Sequence, residues 1–179
     1  MRKTILMPVV SILLFSAILL GLYNGTMGIR RANAESELQI KMATILPGST
    51  AFEVEEYTGE DANVRTIHKG ETGYVVGVTV SGYVDEISML VGVSNDGKVT
   101  GLQVRDMAET YGLGRQALTD WEFLAQFLNN TGDAEVGGNI DALTGATVTS
   151  KAIARGINSA VAFVTGADVS SGATSWGEQ

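Results

Sequence analysis

Cysteine is absent from the 179 residues and histidine occurs once. Without thiols, iron-sulfur ligation by thiolates, a disulfide framework, a lipid-attached N-terminal cysteine and thiol chemistry are all excluded. The one histidine, His68, lies in the polar stretch of residues 65–70 and reads as a solvated loop side chain rather than a ligand, so a haem or zinc protein is not expected. Acidic residues are missing from the first 31 positions, which hold Arg2, Lys3, Arg30 and Arg31. Beyond that stretch, eight basic side chains face twenty acidic ones, a surface that repels phosphate backbones and argues against nucleic acid as a partner. Any chemistry must therefore use hydroxyls, carboxylates, the backbone or an organic cofactor.

The length and 45% hydrophobic composition support one domain with a real core, with room for an anchor or tail. Residues 5–22 carry no charge and are dominated by Ile, Leu, Val and Ala. A helix of that length spans roughly 27 Å, close to the hydrocarbon thickness of a bilayer. Arg2 and Lys3 precede it, which by the positive-inside tendency puts the N-terminus in the cytoplasm and the remainder outside. The competing reading is a cleaved signal peptide, with Ala32-Asn33-Ala34 as the processing site. An uncleaved transmembrane anchor is the expectation, because the apolar run is long and about ten polar or glycine-rich residues separate it from that site.

Downstream, residues 35–46 have helical spacing, with Leu38, Met42 and Ile45 on one side and Pro47-Gly48 as the stop. Residues 51–57 and 73–84 read as strands separated by polar turns, and 87–93 and 99–104 flank Asn95-Asp96-Gly97, a hairpin signal. Thr119-Asp120-Trp121-Glu122 resembles a capping box, and Trp121, Leu124, Ala125 and Leu128 would share one helix face. A last helix is expected from near Thr147, with Ile153, Ile157, Ala160, Val161 and Val164 as its buried stripe. The fold class read from this order is α+β: an N-terminal transmembrane helix, then a small antiparallel sheet with packed helices. The expected divisions are an anchor at 1–31, an exported domain at 32–165 and a flexible Gly/Ser-rich tail at 166–179.

Asp141-Ala142-Leu143-Thr144-Gly145-Ala146-Thr147 puts small residues where the chain enters that last helix, whose first amides lack intrahelical partners. Such a helix start favours a phosphate even in acidic surroundings, and Thr147, Thr149 and Ser150 supply hydroxyls. Asp141 could orient the turn or take up a proton. The plainer reading is an ordinary N-cap, with Thr144 or Thr147 capping and Asp141 favouring the helix dipole. The string D-x-x-[ST]-G-A-T recurs as Asp168-Val169-Ser170-Ser171-Gly172-Ala173-Thr174, but only residues 175–179 follow it, too few for a helix behind it.

Residues 141–150 closely resemble the flavinylation motif of the FMN-binding domain found in the G subunit of the Rnf (Rsx) ion-translocating electron-transport complex and in the C subunit of the sodium-translocating quinone reductase. The resemblance implies that FMN is joined by a phosphoester bond to Thr147, installed by a separate flavin transferase, with Asp141, Thr144, Gly145, Ala146, Thr149 and Ser150 around it. Glu109-Thr110-Tyr111-Gly112-Leu113-Gly114 resembles the family's E-T-P-G-L-G loop, with Tyr111 where the family has proline. That loop lies beside the flavin in the family, which implies cofactor contacts for Glu109, Thr110, Gly112, Leu113 and Gly114. Met89, Met107 and Tyr111 are further candidate flavin neighbours, with core packing the expected role of Met89. The order of parts matches over nearly residues 1 to 165, and the spacing between anchor and sheet favours the Rnf subunit.

The resemblance implies an electron-transfer subunit in a membrane complex coupling ferredoxin and NAD redox chemistry to ion translocation, a redox part of a translocase with no catalytic residue or metal of its own. Its partners would be the other subunits and the flavin transferase, and its FMN domain would lie on the extracytoplasmic side of the cell membrane. Two other readings stay open from the residues: a free-standing extracytoplasmic flavoprotein, and a membrane-tethered binding module in which T-G-A-T is only a cap.

Overall fold

The computed structural model describes residues 2–83, 85–107 and 120–167; within them, the side chains of residues 2–11, 13, 24, 26–29, 31, 106 and 107 are not described. The chain forms two compact units, residues 1–40 and 41–179. Helix α1 runs Arg2–Ile45. In the first unit it exposes Leu14, Phe15, Ile18, Leu19, Leu20 and Leu22. Among the described residues no helix is long and apolar enough to cross a membrane; residues 5–11 and 13 of the expected anchor are among those whose side chains are not described.

The second unit is built on one antiparallel meander, β1 (Glu53–Glu55), β2 (Val64–Lys69), β3 (Gly73–Ser81), β4 (Glu86–Ser94) and β5 (Val99–Met107), in spatial order 1-2-3-4-5. Short α2 (Trp121–Ala125) and long α3 (Thr147–Thr165) follow. The expected antiparallel sheet with packed helices is thus present. The β4–β5 turn falls at Asn95-Asp96-Gly97, where Gly97 takes φ +79° and Ser94 N–H donates to Lys98 O at 2.9 Å.

Strand alternation assigns the two faces. One face carries Val76, Val78 and Val80 of β3 with Ile87, Met89, Val91 and Val93 of β4, and packs against Ile153, Ile157, Ala160 and Val161 of α3. Met89 is a core residue, in contact range of Gly156, where an added Cβ would lie 3.2 Å from the Met89 and Val78 methyls. The opposite face carries Val75, Gly77, Leu90, Gly92 and Gly101, paired in register as Val75 with Gly92 and Gly92 with Gly101. The last turn of α1, belonging to the second unit, closes onto Gly92 and Gly101: a Cβ at Gly101 would come within 2.8 Å of Ile45 O, and Thr100 Oγ1 donates to that carbonyl at 2.6 Å. Met42 and Ile45 are buried there, as the helical spacing of 35–46 predicts, and Leu46 is buried beside them, while Leu38 is only half-buried.

Three expectations need correction. Residues 64–69 are strand β2 rather than a polar turn, because Val64 and Ile67 supply buried β-branched side chains to the α3 face. His68 is accordingly buried in the sheet and not a solvated loop residue. Burial, helped by the charge of Arg105, holds its pKa below the ordinary 6.5. The helix near residue 121 does not bury Trp121 and Leu128, which are exposed; it stops at Ala125, and the core receives Phe123 and Phe127, packed edge to face at 5.2 Å.

Candidate functional site

Helix α3 is the long amphipathic helix of the domain, and its start concentrates the candidate chemistry. Leu143 to Ala146 form a four-residue turn closed by Ala146 N–H donating to Leu143 O at 2.9 Å. Gly145 sits at its third position with φ +78°, a left-handed conformation that favours glycine over any residue with a Cβ. The residue at the N-cap is Ala146, and it makes no side-chain capping bond. This corrects the plain capping reading: neither Thr144 nor Thr147 caps the helix, and both are exposed.

The consequence is electrostatic. Ser150 is the first residue of α3 whose amide reaches back to a carbonyl, that of Ala146 at 2.9 Å. Among the described residues, the amides of Thr147, Val148 and Thr149 have no acceptor. Three donors and the positive end of a 19-residue helix therefore stand beside the exposed Thr147 hydroxyl. These residues fit a phosphate: small Ala146 and Gly145 leave its approach open, and the amides can hydrogen-bond its oxygens without a competing carboxylate.

The other motif residues divide by burial. Asp141 is exposed, whereas Thr149 and Ser150 are buried. The Ser150 hydroxyl donates to Ala146 O at 3.0 Å and accepts from Leu143 N–H at 3.2 Å, so it ties both ends of the turn. The Glu109 loop, with Thr110, Tyr111, Gly112, Leu113 and Gly114, lies outside the described residues, as do Thr119 and the second motif copy ending at Thr174. Met107 ends β5, its side chain not described.

Two residues that pattern reading passed over organise the approach to the motif. Gln126, just past α2, accepts from Asp141 N–H through Oε1 at 2.7 Å and faces Asp141 O through Nε2 at 3.5 Å. Asn158, buried in the middle of α3, pairs with both backbone groups of Ala134, accepting from N–H and donating to C=O at 3.0 Å each. A polar side chain in an apolar helix stripe was a readable signal for Asn158. Nothing in the spacing marked Gln126. Arg155 completes the frame by donating through Nη2 to Ser81 O at 2.9 Å, fastening α3 to the end of β3.

Residues 82–162, from the β3–β4 connection to the last turns of α3, match the FMN-binding domain family. The G subunit of the ion-translocating oxidoreductase complex of Methanosarcina acetivorans is 37% identical over 139 residues, which cover 69% of this chain and 72% of that protein. The chain belongs to the family of G subunits of ion-translocating oxidoreductase complexes. Other members are similar over a shorter stretch. The G subunit of the Na(+)-translocating ferredoxin:NAD(+) oxidoreductase complex of Acetobacterium woodii is 38% identical over 104 residues, 50% of this chain and 49% of the relative. The G subunit of the proton-translocating ferredoxin:NAD(+) oxidoreductase complex of Clostridium ljungdahlii is 41% identical over 99 residues, 51% of this chain and 53% of the relative. Against these two, the chain spans about half the relatives' length. The family match supplies FMN as the group for which the domain is named, and the α3 start offers donors suited to its phosphate.

Proposed function

We propose that this protein is the FMN-carrying electron-transfer subunit of a membrane complex coupling ferredoxin and NAD redox chemistry to ion translocation, with FMN esterified through its phosphate to Thr147. The observation that carries the reading is the start of α3, where an exposed Thr147 hydroxyl adjoins amides without acceptors among the described residues. Forming the ester requires an activated donor, since a flavin monophosphate alone has no good leaving group. In the reaction proposed, Thr147 Oγ1 attacks the flavin-side phosphorus of FAD on a flavin transferase, the phosphoanhydride bond breaks and AMP leaves. The hydroxyl proton passes to solvent, and no electrons change hands. Once bound, the flavin supplies the redox chemistry by accepting and donating electrons.

The chain's own residues then have three tasks. Thr147 fixes the cofactor covalently. The amides of residues 147–149 and the helix dipole hold the phosphodiester charge, and Gly145 keeps the turn clear for it. The Glu109 loop, with Thr110, Gly112, Leu113 and Gly114, would flank the ring system, and Asp141 and Thr144, both exposed, would stand near the phosphate. No catalytic residue or metal of its own is required of such a subunit.

Residues 5–22 are proposed as a single membrane anchor, with the N-terminus cytoplasmic and the FMN domain extracytoplasmic. The absence of charge in that run supports this, as do exposed Leu14, Phe15, Ile18, Leu19, Leu20 and Leu22, since clustered exposed apolar side chains need an apolar environment. Partners would be the other subunits of the complex and the flavin transferase.

The test is intact mass and peptide mapping of protein isolated from native membranes. One FMN-sized increment on the peptide containing Thr147 is expected, with complete loss in Thr147→Ala. Protein without flavin would overturn the covalent assignment and leave the binding-module reading, and a second increment at Thr174 would overturn the single site.

A further inference from the structure

The motif segment is held from behind by two side chains that leave the phosphate-facing amides free. At its C-terminal end Ser150, fully buried, joins Leu143 N–H to Ala146 O through one hydroxyl, bracketing the turn that contains Gly145. At its N-terminal end Gln126, contributed by a different element, accepts from Asp141 N–H at 2.7 Å. Asp141 and Leu143 are thus fixed by side-chain partners, and Ala146 by its bonds to Leu143 and Ser150. Thr147 follows directly, so the place of its hydroxyl is set by this bracket and by the helix behind it. Ser150 cannot itself meet a ligand: it is sealed from solvent, and its hydroxyl already donates once and accepts once.

We propose that Ser150 and Gln126 are positioning residues for flavin attachment: they hold residues 141–147 in the single conformation in which the transferase meets the Thr147 hydroxyl, and so control the attachment rate without touching the flavin. This rests on Thr147 being the attachment residue. A turn with glycine at φ +78° samples other conformations readily once its ends are released, and each alternative removes Thr147 from the helix start. Both residues act on the same step, from opposite ends of the segment.

The experiment follows FMN incorporation by intact mass over time, using full-length protein in membranes or detergent, the flavin transferase and FAD. Variants are Ser150→Ala, Ser150→Thr, Gln126→Ala, Gln126→Glu and Thr147→Ala, each compared at equal folded fraction from a thermal unfolding curve. Ser150→Ala and Gln126→Ala are each expected to slow attachment on the order of tenfold, as removal of a hydrogen bond holding the reactive conformation would. The Michaelis constant for FAD, which belongs to the transferase, stays unchanged. Ser150→Thr and Gln126→Glu keep the principal bonds and restore most of the rate, a rescue that general stability loss would not produce.

Wild-type rates in both alanine variants, with none in Thr147→Ala, would overturn the positioning role and leave the attachment site standing. Flavin still joined to Thr147→Ala would overturn the attachment site itself. Should Ser150→Ala fail to fold, Gln126→Ala decides, because that side chain is only half-buried and its loss leaves the core intact.

Discussion

Helices α2 and α3 begin in opposite ways. At α2, Asp120 takes an extended conformation and its carboxylate accepts from Phe123 N–H at 3.0 Å, so a five-residue helix supplies its own anion. At α3, a helix of 19 residues begins on Ala146, with no side-chain cap at all. Intrinsic stability would argue for a cap at both starts, since an amphipathic helix packed across the sheet gains as much from a cap as a short one does. Under the flavin attachment proposed at Thr147, the contrast has a reason: the α3 start forgoes its own acceptor because the cofactor's phosphate would replace it. The carboxylate of Asp120 occupies the amide of Phe123, whereas Ala146 leaves the first amides of α3 without a side-chain acceptor.

That contrast can be broken at several points. The largest effect is expected from Gly145→Ala, which forces a Cβ into a left-handed conformation at a cost of roughly 1–2 kcal/mol; thermal unfolding should show the loss, and FMN incorporation should fall with it. Next, Asp120→Ala should destabilise the domain by about 1 kcal/mol in denaturant titration. It should leave the final extent of flavin attachment unchanged, because Asp120 caps α2 and not α3, and should slow the rate only as far as Gln126, the residue after α2, loosens its bond to Asp141. The inverse experiment, Ala146→Ser, offers α3 the cap it lacks. It should stabilise the apoprotein by about 0.5–1 kcal/mol while slowing flavin attachment, and an increase in both quantities would refute the idea that the open helix start serves the cofactor.

The smallest effect lies outside both helix starts and serves as their control. Because His68 titrates below 6.5 in the folded domain, the unfolded chain binds the extra proton first as the pH falls. The stability from neutral, buried His68 is complete above pH 6.5 and declines as the pH drops from there through the lowered folded value. Unfolding midpoints should decline slightly in that window for the wild type and flatten in His68→Gln, with flavin content unaltered in both.

Much of this architecture was legible in residue order because it rests on local rules. The stripe Ile153, Ile157, Ala160 and Val161 announced α3, and Asn95-Asp96-Gly97 announced the β4–β5 turn. Strand β2 was hidden by its polar residues: Arg65, Thr66 and Lys69 are exposed, and only Val64, Ile67 and His68 are buried. Its character comes from pairing between β1 and β3, a long-range fact. The α2 helix misled for a related reason. Its spacing pointed to Trp121 and Leu128, yet the helix ends after five residues and the turn beyond it delivers Phe127 to the core.

The candidate site divides in the same manner. Sequence alone determined the small residues at the α3 start, the threonine hydroxyl, the glycine that permits a left-handed turn and the absence of thiol or clustered imidazole chemistry, because residue identity sets each of these. Tertiary structure decided that Ala146 holds the N-cap, that Ser150 is sealed behind the turn and that Gln126 reaches Asp141 from another element. Those facts depend on which backbone groups meet which side chains after packing. No spacing along the chain encodes a hydrogen bond between elements that only the folded core brings together.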